Sequence, residues 1–428
     1  MPIFVLADCN NFYVSCERVF DPKLQNKPVV VLSNNDGCVI SRSNEAKELG
    51  IPMGAPYFEY KKFCTGNNVS VLSSNYTLYG DMSSRVMLKL KELSHEVEVY
   101  SIDEAFLDFS NLPSSTNLSK YAENIKSVIA KDLGIPISIG IGTTKTLAKI
   151  ANSLAKKSKS GVFDLRDETV LMHTLSNLKV EDIWGVGKNI AIHLNKLGIT
   201  TAMQLKESNL KLIKQAFGVI GEKMVKELNG ISCLELEIDI KQRKGITVSR
   251  SFSWPVIELY ELEEAIAEYS AIASKKMRAQ NSKTQELAVF VSTYWYRDKK
   301  GFYSNSRSLV LDAPTDNTTI IIKKAKEMLK SIYKPNMEYK KVGIYLIDLK
   351  HKEQAQAQQC LFSFYDESIQ EATTKGEKLM KAMDSINKRM GKSTVFHAAQ
   401  GTTKAWSMKR ELKSPDYTTN WDELPKVA

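Results

Sequence analysis

Apolar and polar positions alternate in blocks along the first 165 residues, and these blocks predict strands and helices in turn. Short apolar runs predict buried strands at residues 3–7, 27–32, 97–102, 105–109 and 135–142. Helical periodicity predicts helices at residues 11–20, 43–49, 81–93, 118–133 and 145–155. The alternation follows no strict βαβ rhythm, so we expect an α+β fold with a mixed sheet.

The pattern changes twice in the rest of the chain. Residues 166–232 predict helices with Gly-centred turns, and the polar residues 233–245 predict an interdomain linker. Strands are then predicted at residues 247–254, 286–296, 306–312 and 341–349, and helices at 259–280 and 317–331. This order of strand, helix, strand, strand, helix and strand is a split βαβ pattern. A Gln-rich stretch, a helix near residues 373–389 and a polar tail complete the chain.

Composition narrows the class of protein. The 428 residues are 43% hydrophobic and 25% charged, which argues against a mostly disordered, collagen-like or membrane-spanning chain. Asp8 follows the first apolar run too early for a signal peptide. No apolar run approaches the roughly 20 residues of a membrane helix. The six cysteines form no C-x-x-C pair of the kind found in disulfide or zinc sites. We therefore expect a cytoplasmic protein without membrane association or disulfides.

Charge is unevenly spread along the chain. The formal net charge is +10, but residues 1–110 carry −4 and residues 241–350 carry +8. This asymmetry indicates a metal or acidic site near a surface that binds a polyanion. A generally lysine-rich composition is the alternative.

Three carboxylates adjoin apolar strands. Asp8 ends the first run, and Asp103 and Glu104 lie together between two others. If these strands are neighbours, the three side chains meet, and such hard oxygen ligands suit Mg²⁺ and two-metal phosphoryl transfer. The alternatives are that Asp8 caps the following helix and that Asp103 and Glu104 form a solvated turn.

Lysines on two predicted helices are candidates for binding a triphosphate. Lys47 lies on the short helix at 43–49, and Lys149 and Lys156 are about two turns apart, so they project from one helix face. Ordinary solvated lysines are the alternative.

A glycine-rich loop indicates contact with a nucleic-acid backbone. Gly185, Val186, Gly187 and Lys188 open a helix, and a Leu-Gly-Ile turn at 197–199 follows, as in a helix-hairpin-helix module. Residues 217–223 look like a degenerate second copy. An ordinary helical turn is the alternative.

Several motifs together resemble those of the Y-family, or translesion, DNA polymerases, and most closely their UmuC-type members. The motifs are Asp8-Cys9-Asn10-Asn11-Phe12-Tyr13, Leu32-Ser33-Asn34-Asn35-Asp36-Gly37-Cys38-Val39-Ile40, Ser74-Asn75-Tyr76, Tyr100-Ser101-Ile102-Asp103-Glu104-Ala105-Phe106 and Lys145-Thr146-Leu147-Ala148-Lys149. The resemblance implies error-prone DNA-directed DNA synthesis past damaged template bases, by two-metal nucleotidyl transfer, in the SOS DNA-damage response.

The resemblance also implies a right-hand architecture of several domains. The palm would be residues 1–18 and 80–165, the fingers 19–79, and the helical thumb with its hairpin loop 166–232. The linker would be 233–245 and the split βαβ little finger 246–348. Residues 349–428 would hold a clamp-binding peptide and a C-terminal extension, for which we expect an interaction role.

Site residues follow from the same resemblance. Asp8, Asp103 and Glu104 would be catalytic and, with the carbonyl of Cys9, would bind two Mg²⁺ ions. Tyr13 would be the steric gate against the ribose 2′-hydroxyl, with Phe12 beside the sugar or in the core. Lys47 and Lys156 would bind the triphosphate, although many family members have Tyr and Arg in place of Asn44 and Lys47. Gly185, Gly187 and Lys188 would contact the DNA backbone.

The implied partners are primer–template DNA, dNTP, the sliding clamp, a dimeric UmuD-type protein and the RecA filament. Gln358, Leu361 and Phe362 match the Q-x-x-L-F peptide that docks on the clamp. Two other functions are a non-catalytic DNA-binding scaffold and another two-metal enzyme, such as a nuclease or nucleotidyl cyclase. The presence of Asp8, Asp103, Glu104 and Tyr13 argues against a non-catalytic scaffold. The two residues of the steric gate, together with the split βαβ pattern of the little finger, argue against another two-metal enzyme.

Overall fold

The chain is organised as two compact units. The computed structural model describes residues 2–239, 242–294, 301–356, 367–391, 393–404 and 406–424. The first unit is Met1–Ile240 with Arg410–Ala428, and the second is Lys241–Lys409. The C-terminal end of the chain thus belongs to the first unit.

Two sheets form the first part of the first unit. The strands are β1 Phe4–Cys9, β2 Val29–Leu32, β3 Val39–Arg42, β4 Ser70–Ser73, β5 Val97–Val99, β6 Glu104–Asp108, β7 Ile137–Gly142 and β8 Val162–Asp164. The helices are α1 Phe12–Phe20, α2 Asn44–Glu48, α3 Tyr57–Gly66, α4 Tyr76–Leu93, α5 Leu118–Leu133 and α6 Lys145–Ala155. The larger sheet has the order β5-β6-β1-β7-β8, and the smaller has the order β3-β2-β4.

The larger sheet is covered on both faces, which explains its continuous apolar strands. Val5 and Ala7 join the core that α4 and α5 complete, whereas Phe4 and Leu6 pack with Ala148 of α6. Successive strand residues point to opposite faces, so Asp8 shares the α6 face with Phe4 and Leu6. The strand pattern therefore directs one carboxylate toward α6.

Four helices follow, as the sequence predicts for residues 166–232. They are α7 Glu168–Asn177, α8 Lys188–Lys196, α9 Ala202–Lys206 and α10 Leu210–Leu228. Leu175, Leu194, Leu205 and Leu228 are almost completely buried in their shared core. The proposed second hairpin copy lies inside α10, where Gly218 breaks the helical backbone with φ 66° and ψ −157°.

The second unit has the predicted split βαβ order. Its elements are β9 Ile246–Val256, α11 Leu259–Ala279, β10 Ser282–Thr293, β11 Ser304–Thr315, α12 Thr318–Ile332, β12 Tyr339–His351, α13 Lys352–Gln356 and α14 Glu367–Arg389. The sheet order is β11-β10-β12-β9, and all neighbours are antiparallel. Ile266 of α11 and Ile321 of α12 pack in one core with Val289 and Ile344 of the sheet.

The structure also differs from the predicted elements. The strands β3, β4 and β8 and the helix α3 were not predicted, because each is short or carries a weak apolar pattern. The helix α4 begins at Tyr76, five residues before the predicted start, since the side chain of Asn75 caps it. Within the described residues, no helix has the length and apolar character needed to cross a membrane.

Candidate active site

Antiparallel pairing of β1 and β6 places the predicted carboxylates at one end of the larger sheet. Asp8 is the register partner of Glu104, and the Cys9 amide donates to the Asp103 carbonyl at 2.8 Å. The two strands are therefore neighbours, which is the condition under which the three carboxylates meet. Asp8 lies inside β1, and Asn11 is the N-cap residue of α1, so the alternative role of Asp8 as that helix cap is wrong.

The turn before β6 orients Asp103. Ser101 Oγ donates to Asp103 Oδ1 at 2.6 Å, and the Glu104 amide donates to Ser101 Oγ at 3.1 Å. A side-chain acceptor of this kind fixes a tight turn. Asp103 thus stands beside the strand pair in a defined position. Together Asp8, Asp103 and Glu104 are called the carboxylate edge below.

The carboxyl group of Asp8 is mostly buried and lies near three other charged groups. Burial raises the pKa of its carboxyl, Lys156 opposes that shift, and Asp103 and Glu104 add to it by like-charge repulsion. Lys156 Nζ donates to Asp8 Oδ2 at 2.7 Å, and the Lys156 side chain is 44% exposed. The carboxylate edge therefore concentrates negative charge against a partly exposed cation.

Lys149 is held more firmly than Lys156. Its Nζ donates to both carboxylate oxygens of Glu104, at 3.1 and 3.0 Å. The same nitrogen lies 4.5 Å from the ring centre of Tyr100 and 5.1 Å from that of Trp184. Such cation–π contacts hold the ammonium group in place between the two rings. Lys149 is thus better suited to orient Glu104 than to reach a substrate.

Close packing of α6 on the sheet sets the positions of both lysines. A Cβ at Gly140 would collide with the backbone of Ala148 and Asn152, so only glycine permits this approach. The buried Asn152 donates from Nδ2 to the carbonyls of Leu6 and Ser138, at 3.2 and 2.8 Å. The predicted common face of Lys149 and Lys156 is thereby directed at the carboxylate edge.

The donor set fits a hard divalent cation, but its arrangement is not that of a closed metal site. Carboxylate oxygens suit Mg²⁺. In the described part of the chain, no three His, Cys, Asp or Glu side chains form a group that could hold a metal ion. Asp8 and Glu104 are instead paired with lysines, and Asp103 with Ser101. Burial raises the pKa of the Cys9 thiol well above its usual range, which leaves its carbonyl as the available ligand.

Lys47 is positioned next to the start of α1. Its Nζ donates to Asn11 Oδ1 at 2.6 Å and to Asn44 Oδ1 at 3.3 Å. Burial lowers the pKa of Lys47, with further lowering by Arg42 and Lys156. A nearby cationic group disfavours a second positive charge, so an anion between Lys47 and Lys156 would be stabilised.

The two aromatic residues of the predicted gate differ in their surroundings. Phe12 is only 3% exposed and belongs to the main core, as expected for its structural alternative. Tyr13 is partly buried, stacks on Tyr79 with ring centres 4.5 Å apart, and meets Tyr76 edge-on at 5.9 Å. Burial, followed by Tyr76 and Asp103, raises the pKa of Tyr13 to about 12, so its hydroxyl stays neutral at physiological pH.

The glycine-rich loop has the backbone expected before a helix. Gly185 has a positive φ of 91°, and Gly187 is the N-cap residue of α8, whose first residue is the exposed Lys188. Exposed amides at such a helix start suit phosphate. The clamp-peptide residues Gln358, Leu361 and Phe362 lie outside the described residues.

Sequence reasoning missed several buried polar contacts in the first unit. Lys145 pairs with Glu98 and donates to the Glu235 carbonyl at 2.7 Å. Glu17, only 2% exposed, accepts the hydroxyls of Tyr79 and Ser414. The signal in the sequence was an acidic residue, Glu98 or Glu17, among the apolar positions of a predicted strand or helix. Such a signal does not identify the residue that pairs with the acid.

Comparisons with known proteins agree along the chain. A profile of the impB/mucB/samB family matches residues 7–153, and the profile of its C-terminal domain matches 243–360. A profile of a domain of unknown function matches 377–427.

Protein UmuC of Salmonella typhimurium strain LT2 is 40% identical over 99% of this chain and 100% of its own. DNA polymerase IV 1 of Bacillus subtilis strain 168 is 30% identical over 95% of this chain and 96% of its own.

Solved structures show a similar fold. The Y-family DNA polymerase chimera Dbh-Dpo4(243-245)-Dbh aligns with a TM-score of 0.66 and 22% identity, over 82% of this chain and 99% of its own. An insertion ternary complex of Dbh DNA polymerase aligns with a TM-score of 0.55 and 21% identity, over the same shares of the two chains.

Proposed function

The chain belongs to the impB/mucB/samB family and is a DNA-directed DNA polymerase that performs error-prone translesion synthesis in the SOS response; on this premise we propose that the carboxylate edge is its catalytic centre. The polymerase binds DNA and dNTP and depends on a divalent metal. One observation carries the proposal: β1 and β6 pair Asp8 with Glu104 beside Asp103.

The metal is Mg²⁺ in this proposal, held by Asp8, Asp103, Glu104 and the carbonyl of Cys9. Two such ions, when bound, would activate the primer 3′-hydroxyl and stabilise the leaving oxygen. Support comes from the oxygen-only donor set and from the mutual repulsion that helps raise the pKa of Asp8.

Lys156 and Lys47 bind the triphosphate in this proposal. Lys156 balances Asp8 in the structure and is partly exposed, so its ammonium group is also available to a phosphate beside the carboxylate edge. Lys47, which donates to Asn11 Oδ1, adds a second point charge.

Tyr13 excludes ribonucleotides in this proposal, because its ring would clash with a ribose 2′-hydroxyl. The support is its position at the start of α1, near Asp103, with two tyrosines behind it. Phe12 supports α1 from the core and contributes to the gate by fixing that helix.

The remaining proposals concern organisation and partners. The palm, fingers, thumb, linker and little finger keep the residue bounds given above. Gly185, Gly187 and Lys188 hold duplex backbone, since their loop presents amides at a helix start. The peptide with Gln358, Leu361 and Phe362 docks on the sliding clamp. A UmuD-type dimer and the RecA filament are further partners. The polymerase acts in the bacterial cytoplasm.

Primer extension with Mg²⁺ tests the catalytic centre. Asp103→Asn keeps the side-chain shape but removes a ligand charge, so we expect incorporation to fall by roughly 10³. The matched control is Asp108→Asn, at the other end of β6, which should retain near-normal incorporation. Equal activity of the two variants would refute the assignment of Asp103.

A further inference from the structure

The C-terminal tail of the first unit packs beside the first strand-and-helix segments of the chain. The Ser73 amide donates to the Leu412 carbonyl at 3.0 Å, and the Leu412 amide donates to Ser73 Oγ at 3.0 Å. Ser73 ends β4 and pairs with Lys413 in a parallel bridge. The tail therefore extends the edge of the smaller sheet.

The cap of α4 also holds the tail. Asn75 Oδ1 accepts the Leu78 amide at 3.2 Å, and its Nδ2 donates to the Ser414 carbonyl, Ser414 Oγ and the Pro415 carbonyl, each at 3.1 Å. Asn75 is fully buried. Because buried polar groups are costly to leave unpaired, the tail is a built part of this cap.

Ser414 leads from the tail toward the gate tyrosine through two buried side chains. Ser414 Oγ donates to Glu17 Oε1 at 3.0 Å, and Tyr79 Oη donates to the same oxygen at 2.6 Å. The ring of Tyr79 stacks on Tyr13 at 4.5 Å with an interplanar angle of 15°. Further along, Tyr417 of the tail stacks on Phe20 at the end of α1. The tail thus contacts α1 and, through Asn75, α4.

We propose that Ser414, Glu17 and Tyr79, called the gate support below, are positioning residues that fix the ring of Tyr13, so that sugar selection depends on the C-terminal tail. The inference deepens the proposed function and rests on the gate role of Tyr13. It gives the tail, part of a matched domain of unknown function, a role within its own polymerase unit.

The physical reason lies in what a steric gate needs. Rejection by a clash requires that the ring stay in place when a 2′-hydroxyl presses on it, and a ring backed by a loose neighbour gives way. Tyr79 is 0% exposed, and its hydroxyl is anchored on Glu17, so the stacked face behind Tyr13 is rigid. Losing either anchor loosens the ring without removing it.

The test compares single-nucleotide incorporation of dNTP and rNTP by the full chain, under conditions in which the wild type extends a primer. For Ser414→Ala and Tyr79→Phe, we expect the rNTP-to-dNTP ratio of kcat/KM to rise about fivefold, the size of one hydrogen bond. Ser414→Thr keeps the hydroxyl and should restore the wild-type ratio. Tyr13→Ala should raise the ratio by roughly 100-fold.

Two matched controls remove hydroxyl groups elsewhere in the unit. Ser84→Ala loses a bond to the Gly80 carbonyl on α4, and Tyr121→Phe loses a bond to the Leu93 carbonyl. Neither should change the ratio. A purely structural defect lowers incorporation of both sugars by the same factor and leaves the ratio unchanged.

The outcomes separate the two levels of the proposal. If Tyr13→Ala raises the ratio but Ser414→Ala and Tyr79→Phe do not, the gate stands and the gate support is refuted. If Tyr13→Ala leaves the ratio unchanged, the gate itself is refuted, and the inference fails with it. A rise in all three variants, with the ratio of both controls unchanged, supports the inference.

Discussion

The carboxylate edge and the gate support belong to the same unit but are stabilised in different ways. At the carboxylate edge, Asp8 pairs with Lys156, whose side chain is 44% exposed. At the gate support, Glu17 and Tyr79 are 2% and 0% exposed, and hydroxyl groups donate to the acid. A buried polar group left unpaired costs about 1–3 kcal/mol, so the gate support tolerates the loss of a partner poorly.

This difference teaches how one unit combines an exchangeable site with a fixed one. Lys156, the partly exposed partner of Asp8, can be exchanged more easily than Lys149, which is held by Glu104 and two aromatic rings. The partners in the gate support are buried and fixed. This suits the proposed role of Tyr13, because a ring that selects by shape must stay in one position.

The larger effect should come from weakening the exchangeable partner. Lys156→Ala removes a charge that we propose moves to the triphosphate, so KM for dNTP should rise about tenfold, with a smaller fall in kcat. Steady-state incorporation at varied dNTP concentration measures both constants.

Lys157→Ala is the matched control, because Lys157 is the next residue and is also exposed. It should leave KM near the wild-type value. If both variants raise KM equally, general positive charge and not the position of Lys156 explains the effect. An unchanged KM in Lys156→Ala would contradict its assignment.

A smaller effect should appear in the pH dependence of stability at the gate support. Burial raises the pKa of Glu17, against hydrogen bonds from Tyr79 and Ser414; Asp21 adds to the shift and Lys413 opposes it. The folded state therefore holds its proton more tightly than the unfolded state, and the free energy of unfolding falls as pH rises from about 4.5 through the raised pKa. Glu17→Gln should lack this slope, with a difference on the order of 1 kcal/mol.

Denaturant unfolding at a series of pH values checks this sign. Glu45→Gln is an informative control, because burial of Glu45 is outweighed by hydrogen bonds from Ser43 and Arg18, which lower its pKa. That carboxylate contributes stability above its unfolded pKa and loses it as pH falls, so Glu45→Gln should remove a slope of opposite sign. The slope of unfolding free energy against pH is compared with that of the wild type. A change of the same sign in both variants would contradict the account of Glu17.

Sequence and structure agree best where the signal is local. The apolar runs around Asp8 and around Asp103 and Glu104 predicted the strands that hold these acids, and the seven-residue spacing predicted a common face for Lys149 and Lys156. Each of these follows from the period of one element.

The gate support was beyond prediction for a physical reason. Ser414 and Glu17 are 397 positions apart, and the bond between them depends on the return of the tail to β4 and α4. Nothing in the local pattern of either segment encodes that meeting. The pairing of Lys145 with Glu98 was missed for the same reason.

The most direct test of the central claim is the structure of the full chain with primer–template DNA, an incoming dNTP and Mn²⁺ in place of Mg²⁺. Anomalous diffraction should locate two cations at Asp8, Asp103 and Glu104, with Lys156 moved from Asp8 to the triphosphate. A bound nucleotide with no cation at these carboxylates, or with Lys156 still on Asp8, would contradict the account.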